Sequence, residues 1–180
     1  MSHTILPESK IARFLFGDTR LAPLWLLVRL YLGYEWILAG SHKFTDPLWI
    51  GPQAGTAVKG FLMGALKKMS GDHPDVSSWY GYFVEHFALS HTVAFSYLVT
   101  FGEIAVGIAL ILGFLVGVSS FFGVLMNYNF MLAGTVSINP VMILLGILLM
   151  LAWRTAGSYG FDRFLLPQIL KWRNAVPGYK

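Results

Sequence analysis

The sequence predicts an all-α fold, an integral membrane four-helix bundle formed by a single domain over residues 1–180. Of these residues 56% are hydrophobic and 12% are charged, whereas a soluble domain has about 25% charged residues. The apolar residues are concentrated in four blocks, and a block of about 20 is long enough to cross the ~30 Å hydrocarbon core of a bilayer. We therefore expect spans at about 21–41, 92–112, 117–135 and 140–156.

The segments outside these blocks are polar or amphipathic. Residues 1–20 lack the apolar region of a cleavable signal peptide, so we expect a short interfacial helix there. The connection between the first two spans has apolar residues at helical spacing from Val58 to Met69, with lysines on other faces. This pattern predicts an amphipathic helix that lies on the membrane or caps the bundle. The aromatic-rich residues 76–88 predict a second short helix.

The distribution of basic residues predicts the topology. The net charge is +4, and eight of the 13 basic residues lie in the terminal segments, against four in the connection between the first two spans. Cytoplasmic segments carry the excess of Lys and Arg. We therefore expect a multi-pass protein of the cytoplasmic membrane with both termini in the cytoplasm and the long connection outside. Nucleic-acid binding is not needed to explain the charge.

Several kinds of chemistry are excluded or disfavoured. The chain has no cysteine, which excludes thiolate-ligated iron–sulfur clusters, covalent c-type haem and disulfides. No dinucleotide fingerprint, P-loop or Ser-His-Asp arrangement is visible. No histidine lies deep in a span, which argues against a bis-histidine haem. We expect His42, His86 and His91 to cluster at the outer mouth of the bundle without a metal, and we predict no bound cofactor.

Charged and amide side chains inside the spans are the candidate functional residues. Arg29 and Glu35 lie in the first span, Glu103 in the second, and Asn127 and Asn129 in the third. Ionised side chains at membrane depth are costly and usually mark functional sites. Counted from the outer span ends at a rise of ~1.5 Å per residue, Arg29 lies ~18 Å deep and Glu103 ~16 Å deep.

The similar depths predict that Arg29 and Glu103 form an ion pair at mid-membrane. The pair is either a structural clamp that fixes helix register or a part of a ligand site. The two asparagines either hydrogen-bond between helices or contact a ligand.

Several short motifs, taken together, resemble one known family. They are Arg29, Gly33, Gly40 and Lys43-Phe44 in the first span; Phe101-Gly102-Glu103, Gly107 and Leu112-Gly113 in the second; residues 127–134 in the third; and Ala152-Trp153 with residues 160–164 near the end. These motifs resemble the DoxX-like membrane proteins. The resemblance implies a four-helix membrane protein. The family includes DoxD, the membrane subunit of thiosulfate:quinone oxidoreductase, which oxidises thiosulfate to tetrathionate and passes electrons to quinone.

The resemblance implies the membrane subunit of a quinone-linked oxidoreductase, most concretely one that oxidises thiosulfate and uses membrane quinone as electron acceptor. On this interpretation Lys43, Arg29 and the outer histidines attract the small anionic reductant. Aromatic residues, Trp36 and Tyr31 among them, line a quinone site. The protons for quinone reduction come through Glu35, Glu103 or His42. The expected set is Arg29, Glu35 and Glu103 as catalytic residues, with His42, Lys43, Trp36, Tyr31, Asn127 and Asn129 binding substrate.

Two other functions fit the same residues. The polar side chains inside the bundle also fit a proton-coupled small-molecule carrier, although nothing ionisable lies in the inner halves of the last three spans apart from Arg154 near the end of the fourth. A non-catalytic anchor that holds a soluble redox partner at the membrane is the other alternative. The expected partners are membrane lipid, quinone, the reductant, and either a small partner subunit or further copies of the chain.

Overall fold

The computed structural model describes residues 8–175, and these form nine α-helices and no β-strand. The all-α prediction is confirmed. The helices are α1 (Lys10–Gly17), α2 (Ala22–Thr45), α3 (Thr56–Lys67), α4 (Ser78–His86), α5 (Thr92–Leu112), α6 (Val116–Leu132), α7 (Asn139–Leu151), α8 (Trp153–Ala156) and α9 (Asp162–Ala175). Short 3-10 turns at Thr19–Leu21 and Ala88–His91 lead into α2 and α5.

Two of the described helical segments are long and apolar enough to cross a membrane, by length and composition. They are Thr19–Thr45 and Ala88–Leu112. The helices α6 and α7 are apolar but shorter. The predicted run 92–112 coincides with α5, whereas α2 continues to Thr45, past its predicted end. The predicted run 140–156 is interrupted at Ala152, after which α8 begins.

Glycines bring α2 and α5 together as an antiparallel pair. A Cβ atom on Gly40 would lie 2.6 Å from Cγ1 of Ile104, and one on Gly33 would lie 2.7 Å from Cγ1 of Ile111. Gly107 faces Ile37 in the same way. Small residues let two helix backbones approach closely. The contacts fix the register, with Gly40 opposite Ile104 and Gly33 opposite Ile111.

The helices α6 and α7 form a second antiparallel pair that packs against the first. Gly146 on α7 faces Val124 on α6, and Gly123 on α6 faces the indole of Trp36. A tight turn with left-handed residues Gly113 (φ 68°) and Leu115 (φ 47°) joins α5 to α6. The buried side chains between the two pairs include both tryptophans of α2, Trp25 and Trp36.

One end of the bundle is covered by α3 and α4. Val58, Leu62 and Ala65 of α3 pack with Tyr80 and Val84 of α4 into a small apolar core of their own. We call this end the cap end, and the opposite end, which holds the α5–α6 turn, the hairpin end.

Two hydrogen bonds tie the cap to α6 and the turn after it. The Tyr80 hydroxyl donates to the backbone oxygen of Asn129 at 3.2 Å, and Lys68 Nζ donates to the oxygen of Gly134 at 2.6 Å. Burial raises the pKa of the Tyr80 phenol, so this hydroxyl keeps its proton and remains a donor.

The N-terminal helix α1 lies at the hairpin end, within the segment predicted to be interfacial. Ser9 caps it by accepting a hydrogen bond from the Ala12 amide at 3.1 Å. None of its residues is buried, and Ile11 and Phe14 are exposed. The N-terminal part of the predicted interfacial segment, residues 1–7, lies outside the described residues.

Candidate functional site

An ion pair between α2 and α5 is the polar centre of the bundle near the cap end. Lys43 Nζ donates to both carboxylate oxygens of Glu103, at 3.0 and 2.8 Å. The Glu103 side chain is 1% exposed and that of Lys43 is 20% exposed. Lys43 stands in the last turn of α2, and its chain folds back along the helix to reach the carboxylate one turn deeper. The pair therefore connects a buried carboxylate to a partly accessible cation.

Trp49 completes the site on the cap side. Lys43 Nζ lies 5.2 Å from the centroid of the Trp49 ring, which is cation–π range. The Trp49 backbone is held by Ser96 of α5, whose hydroxyl donates to its carbonyl at 2.6 Å. Thr100, one turn further along α5, donates to the Ser96 carbonyl at 2.8 Å. Trp49 was not among the predicted site residues. The feature of the sequence that could have indicated it is an aromatic residue just after the Asp46-Pro47 turn, six residues beyond Lys43.

The predicted pairing of Arg29 with Glu103 is wrong. The register places Glu103 beside Gly40, since a Cβ on Gly40 would lie 3.2 Å from Glu103 Cβ. Arg29 is eleven residues from Gly40, about 16 Å along the helix. The depth count failed because the cap ends of α2 and α5 are not level. The helix α5 continues past the end of α2 into the cap, so equal distances from the two ends are not equal depths.

Arg29 instead lies at the hairpin end, in a cradle of glycines. Its Nη1 lies against Gly113 and Gly160, where any Cβ atom would collide with it, and its Nη2 donates to the Tyr159 carbonyl at 3.3 Å. The carboxylate of Asp162 is close enough to interact with the guanidinium by charge. The side chain of Arg29 is 1% exposed.

Asp162 has a structural role that sequence reasoning missed. Its two carboxylate oxygens accept hydrogen bonds from the amides of Leu115 at 2.7 Å and Val116 at 2.8 Å, which are at the start of α6. Its own amide donates to the Gly113 carbonyl at 2.9 Å. A carboxylate is favourable at a helix N-terminus. Asp162 thus caps α6 from a distant part of the chain and compensates the charge of Arg29. The feature of the sequence that could have indicated this role is the single acidic residue within the motif of residues 160–164.

The other predicted residues of α2 do not meet in one place. Trp36 is 3% exposed and packs its indole on Gly123 inside the bundle. Tyr31 is exposed. Glu35 is half-buried and has no hydrogen-bond or ion-pair partner among residues 8–175. The face that carries Tyr31 and the face that carries Trp36 are therefore separate surfaces.

The two asparagines of α6 are in different environments. Asn127 is 2% exposed, and its Nδ2 has no partner within the described part of the chain. Asn129 donates to the Leu125 carbonyl at 2.8 Å and is half-buried near Tyr80. Asn127 thus faces the bundle interior, whereas Asn129 lies at the edge of the cap.

The histidines near the cap are exposed and bond locally. The rings of His86 and His91 bond the carbonyls of Tyr82 and Phe87, four residues earlier, at 3.0 and 2.8 Å. His42 is exposed at the end of α2. Among the described residues, no group of three His, Cys, Asp or Glu side chains is arranged to hold a metal ion. The three histidines are therefore not a metal-ligand set.

A long apolar groove of about 790 Å³ runs between α5 and α6. It starts under the cap at Trp49 and Tyr80, passes Gly102 and Met126, and ends at Phe114 beside the hairpin. Nearly all of the lining is apolar, as in sites for hydrophobic ligands. Trp49 lines the groove and also lies beneath Lys43, so the groove and the ion pair meet at this ring.

Comparison with known proteins gives one match. A family model described as DoxX matches residues 24–137, which is more than half of the chain. The matched segment includes Lys43, Trp49, Glu103 and Asn127, but it ends before Asp162. No curated protein and no solved structure matches the chain significantly.

Proposed function

The chain belongs to the DoxX family of membrane proteins, and we propose that it is the membrane subunit of a quinone-linked oxidoreductase. In this proposal α2, α5, α6 and α7 span the bilayer, with the shorter helices assisted by local thinning. The excess of basic residues in the terminal segments favours cytoplasmic termini and a cap end that faces outward.

The observation that carries the proposal is the meeting of the apolar groove with the Lys43–Glu103 pair at Trp49. A membrane quinone has a flat ring with two carbonyl acceptors and a long apolar tail. The groove suits the tail, because its lining is apolar and it lies along two apolar helices. The Trp49 indole offers a face on which the ring stacks, and Lys43 Nζ provides a cationic donor for a carbonyl oxygen.

The chemistry of reduction requires two electrons and two protons for each quinone. When the ring accepts electrons, negative charge develops on its oxygens, and the ammonium of Lys43 is positioned to stabilise that charge. Lys43 then donates a proton to the oxygen, and a proton taken up from water by the Glu103 carboxylate, which is bonded to Lys43 at 2.8 Å, passes on to the amine. A buried carboxylate that touches a partly exposed cation is suited to such a relay.

The electrons come from a small anionic reductant on the outer side. Thiosulfate is the most concrete candidate that the DoxX resemblance suggests: two thiosulfate ions release two electrons and join as tetrathionate. The partly exposed Lys43 gives the anion a cation to approach. A partner subunit that carries a redox cofactor is the second route by which the electrons reach the quinone.

A photoreactive quinone tests the proposed groove directly. The protein in lipid nanodiscs is labelled with an azido-quinone, and the labelled peptides are mapped. We expect label on α5 and α6 near Gly102 and Met126. Ala105→Trp, which fills the groove, should reduce labelling at least fivefold. Leu144→Trp, at an exposed position on α7 outside the groove, is the matched control and should leave labelling unchanged. Label spread evenly over all exposed helix faces would refute the groove.

A second candidate function is the anchor for a soluble redox partner. It is favoured by the exposed aromatic face of α4, where Trp79 and Tyr82 are 61% and 65% exposed. Large exposed aromatic side chains are common at protein interfaces. If the chain is only an anchor, Trp79→Ala with Tyr82→Ala should abolish partner capture, while the groove variant Ala105→Trp should leave quinone reduction by the complex intact.

A further inference from the structure

Four buried polar atoms have no protein partner in the described residues, and they follow one line through the bundle. They are Arg29 Nε, Arg29 Nη1, Ser120 Oγ and Asn127 Nδ2. Each of these side chains is at most 2% exposed, so neither lipid nor bulk water reaches it. A buried polar group without a hydrogen bond keeps the full cost of its desolvation, so such groups are rarely left without a partner. Three such side chains on two helices that face each other across the bundle core indicate that something in the interior satisfies them.

The three side chains lie on α2 and α6, which meet across the bundle core where the Trp36 indole packs on Gly123. On α6, Ser120 and Asn127 are seven residues apart and therefore lie on one face, with Gly123 between them. On α2, Arg29 and Trp36 have the same spacing. Trp36 Nε1 would lie 3.1 Å from a Cβ on Gly123, which aligns the two faces.

Their order along the bundle axis follows from this alignment. From the hairpin end it is Arg29, Ser120, the Trp36 indole and Asn127, and the last three are separated along α6 by about 4–6 Å at a rise of ~1.5 Å per residue. Asn127 lies four residues beyond Gly123 in the direction of the cap end, as Gly40 lies four beyond Trp36 on α2. Gly40 contacts Glu103. The line therefore begins at Arg29 and runs toward the cap end, where the ion pair lies.

Ser120 indicates that the line is hydrated. A helical serine or threonine ordinarily satisfies its hydroxyl on a backbone carbonyl one turn earlier. Thr100 does so with Ser96, and the neighbouring Ser119 donates to the Phe114 carbonyl at 3.1 Å. Ser120 makes no such bond. Its hydroxyl keeps both a donor and an acceptor, and Asn127 keeps the donor Nδ2, so each side chain can bond a buried water.

We propose that a file of water molecules runs between α2 and α6 from Arg29 to Asn127 and Glu103, and that it carries protons from the hairpin end to Glu103. The existence of the file does not depend on the proposed quinone activity, but its use does, because quinol formation consumes two protons. The Trp36 indole lies beside the file, midway along it. Arg29 and Asp162 mark its hairpin end, and Lys43 and Glu103 its cap end.

The exchange of the Trp36 indole proton tests the file without any quinone. The protein has six tryptophans, so selective ¹⁵N-Trp labelling in nanodiscs gives six indole signals, and Trp36→Phe identifies the relevant one. We expect a direct magnetisation transfer from water to the Trp36 indole in the unmodified protein. Trp25 is the internal control, because its Nε1 is bonded to the Leu15 carbonyl at 3.0 Å. Absence of transfer to Trp36 would overturn the file.

Variants that remove the polar groups along the proposed water file give the second test. Ser120→Ala combined with Asn127→Leu should slow exchange of the Trp36 indole at least tenfold, while exchange at Trp25 stays constant. Tyr128→Phe is the matched control, since it removes a polar group from the exposed side of α6 next to Asn127. Equal exchange in the double variant and the control would contradict the file, and the single change Ser120→Ala repeats the test with minimal disturbance of packing.

The use of the file is tested separately by quinol formation. Ser120→Val should slow it about tenfold, because Ser120 lies on the path from the hairpin end and faces away from the groove. Tyr128→Phe should have no effect. If Trp36 exchanges rapidly but Ser120→Val leaves quinol formation unchanged, protons reach Glu103 from the cap end and the proposed direction is wrong. If no variant forms quinol, the proposed activity fails, while the exchange result still decides the existence of the file.

Discussion

Lys43 Nζ bonds both carboxylate oxygens of Glu103, at 3.0 and 2.8 Å, across the interface of α2 and α5. The contact is possible because Gly40 lets the two backbones approach at this level, and because Lys43 folds back along its own helix. A carboxylate that is 1% exposed is thereby linked to a cation that is 20% exposed. This link connects the interior of the bundle to the cap and to Trp49.

A double-mutant cycle should show that Glu103 is coupled to Lys43 and not to Arg29. Lys43→Met leaves a buried carboxylate unpaired, and breaking a buried pair costs up to about 3–5 kcal/mol. We expect a smaller loss for Glu103→Gln, because Lys43 can turn toward water. The double variant should lose less than the sum of the two single variants. Unfolding of the detergent-solubilised protein measures each value.

The matched control for this cycle is Arg29→Gln with Glu103→Gln. These residues are too far apart to share partners, so their effects should add within about 0.5 kcal/mol. Strong coupling between Arg29 and Glu103, together with additivity between Lys43 and Glu103, would contradict the register of α2 and α5.

The glycine-mediated packing of α2 on α5 should tolerate no side chain at Gly40. Its Cβ would lie 2.6 Å from Ile104 and 3.0 Å from the Ile104 amide nitrogen, which belongs to the backbone and cannot move alone. Overpacking of this kind costs about 1–3 kcal/mol, and we expect at least that loss for Gly40→Ala. Gly60→Ala is the control, because a Cβ there meets nothing within 4 Å. Alanine should be neutral or stabilising at Gly60, since glycine destabilises a helix by roughly 0.5–1 kcal/mol.

Asp162→Asn should loosen the hairpin end. The change removes the negative charge beside Arg29 and weakens the cap on the amides of Leu115 and Val116. Loss of a helix cap costs about 0.5–2 kcal/mol, and the uncompensated Arg29 adds to it. Limited proteolysis between Gly157 and Arg163 should become faster. Asp18→Asn, which disrupts the exposed pair with Arg20, should not change this cleavage. Unchanged cleavage in Asp162→Asn would show that the bonds from Asp162 to the start of α6 are dispensable.

The topology can be measured by cysteine labelling, because the chain has no native cysteine. Asp72→Cys lies in the cap and Arg163→Cys at the hairpin end. In intact cells an impermeant maleimide should label Asp72→Cys and leave Arg163→Cys unlabelled until the membrane is opened. The reverse result would turn the cap toward the cytoplasm and remove the outward-facing site for the reductant.

The helices could be predicted from the sequence, but the pairing of their polar residues could not. Blocks of apolar residues mark α2 and α5 because burial in hydrocarbon requires them. The depth of Arg29 relative to Glu103 depends on how far α5 continues beyond α2, and that offset is set by Gly33, Gly40 and Gly107 meeting Ile111, Ile104 and Ile37. The spacing of apolar residues within one helix carries no information about the axial offset between two helices.

Contacts between distant parts of the chain were also hidden from the sequence. Asp162 reaches Val116 across 46 residues, and Trp49 is fixed by Ser96 across 47. In each contact one partner, Asp162 or Trp49, lies outside the long apolar helices, where apolar patterns carry little information. Lys43 lies in the last turn of α2, at the cap end, but its partner became evident only from the packing.

The proposed activity is tested most directly by quinol formation in nanodiscs that contain the purified protein, with thiosulfate as reductant and a soluble quinone as acceptor. We predict quinol formation by the unmodified protein, with any co-purifying chains retained. Lys43→Met should lower the rate at least tenfold, and the exposed, matched change Lys59→Met should leave it unchanged. A folded protein that reduces no quinone, or equal rates in Lys43→Met and Lys59→Met, would contradict the role assigned to the Lys43–Glu103 pair.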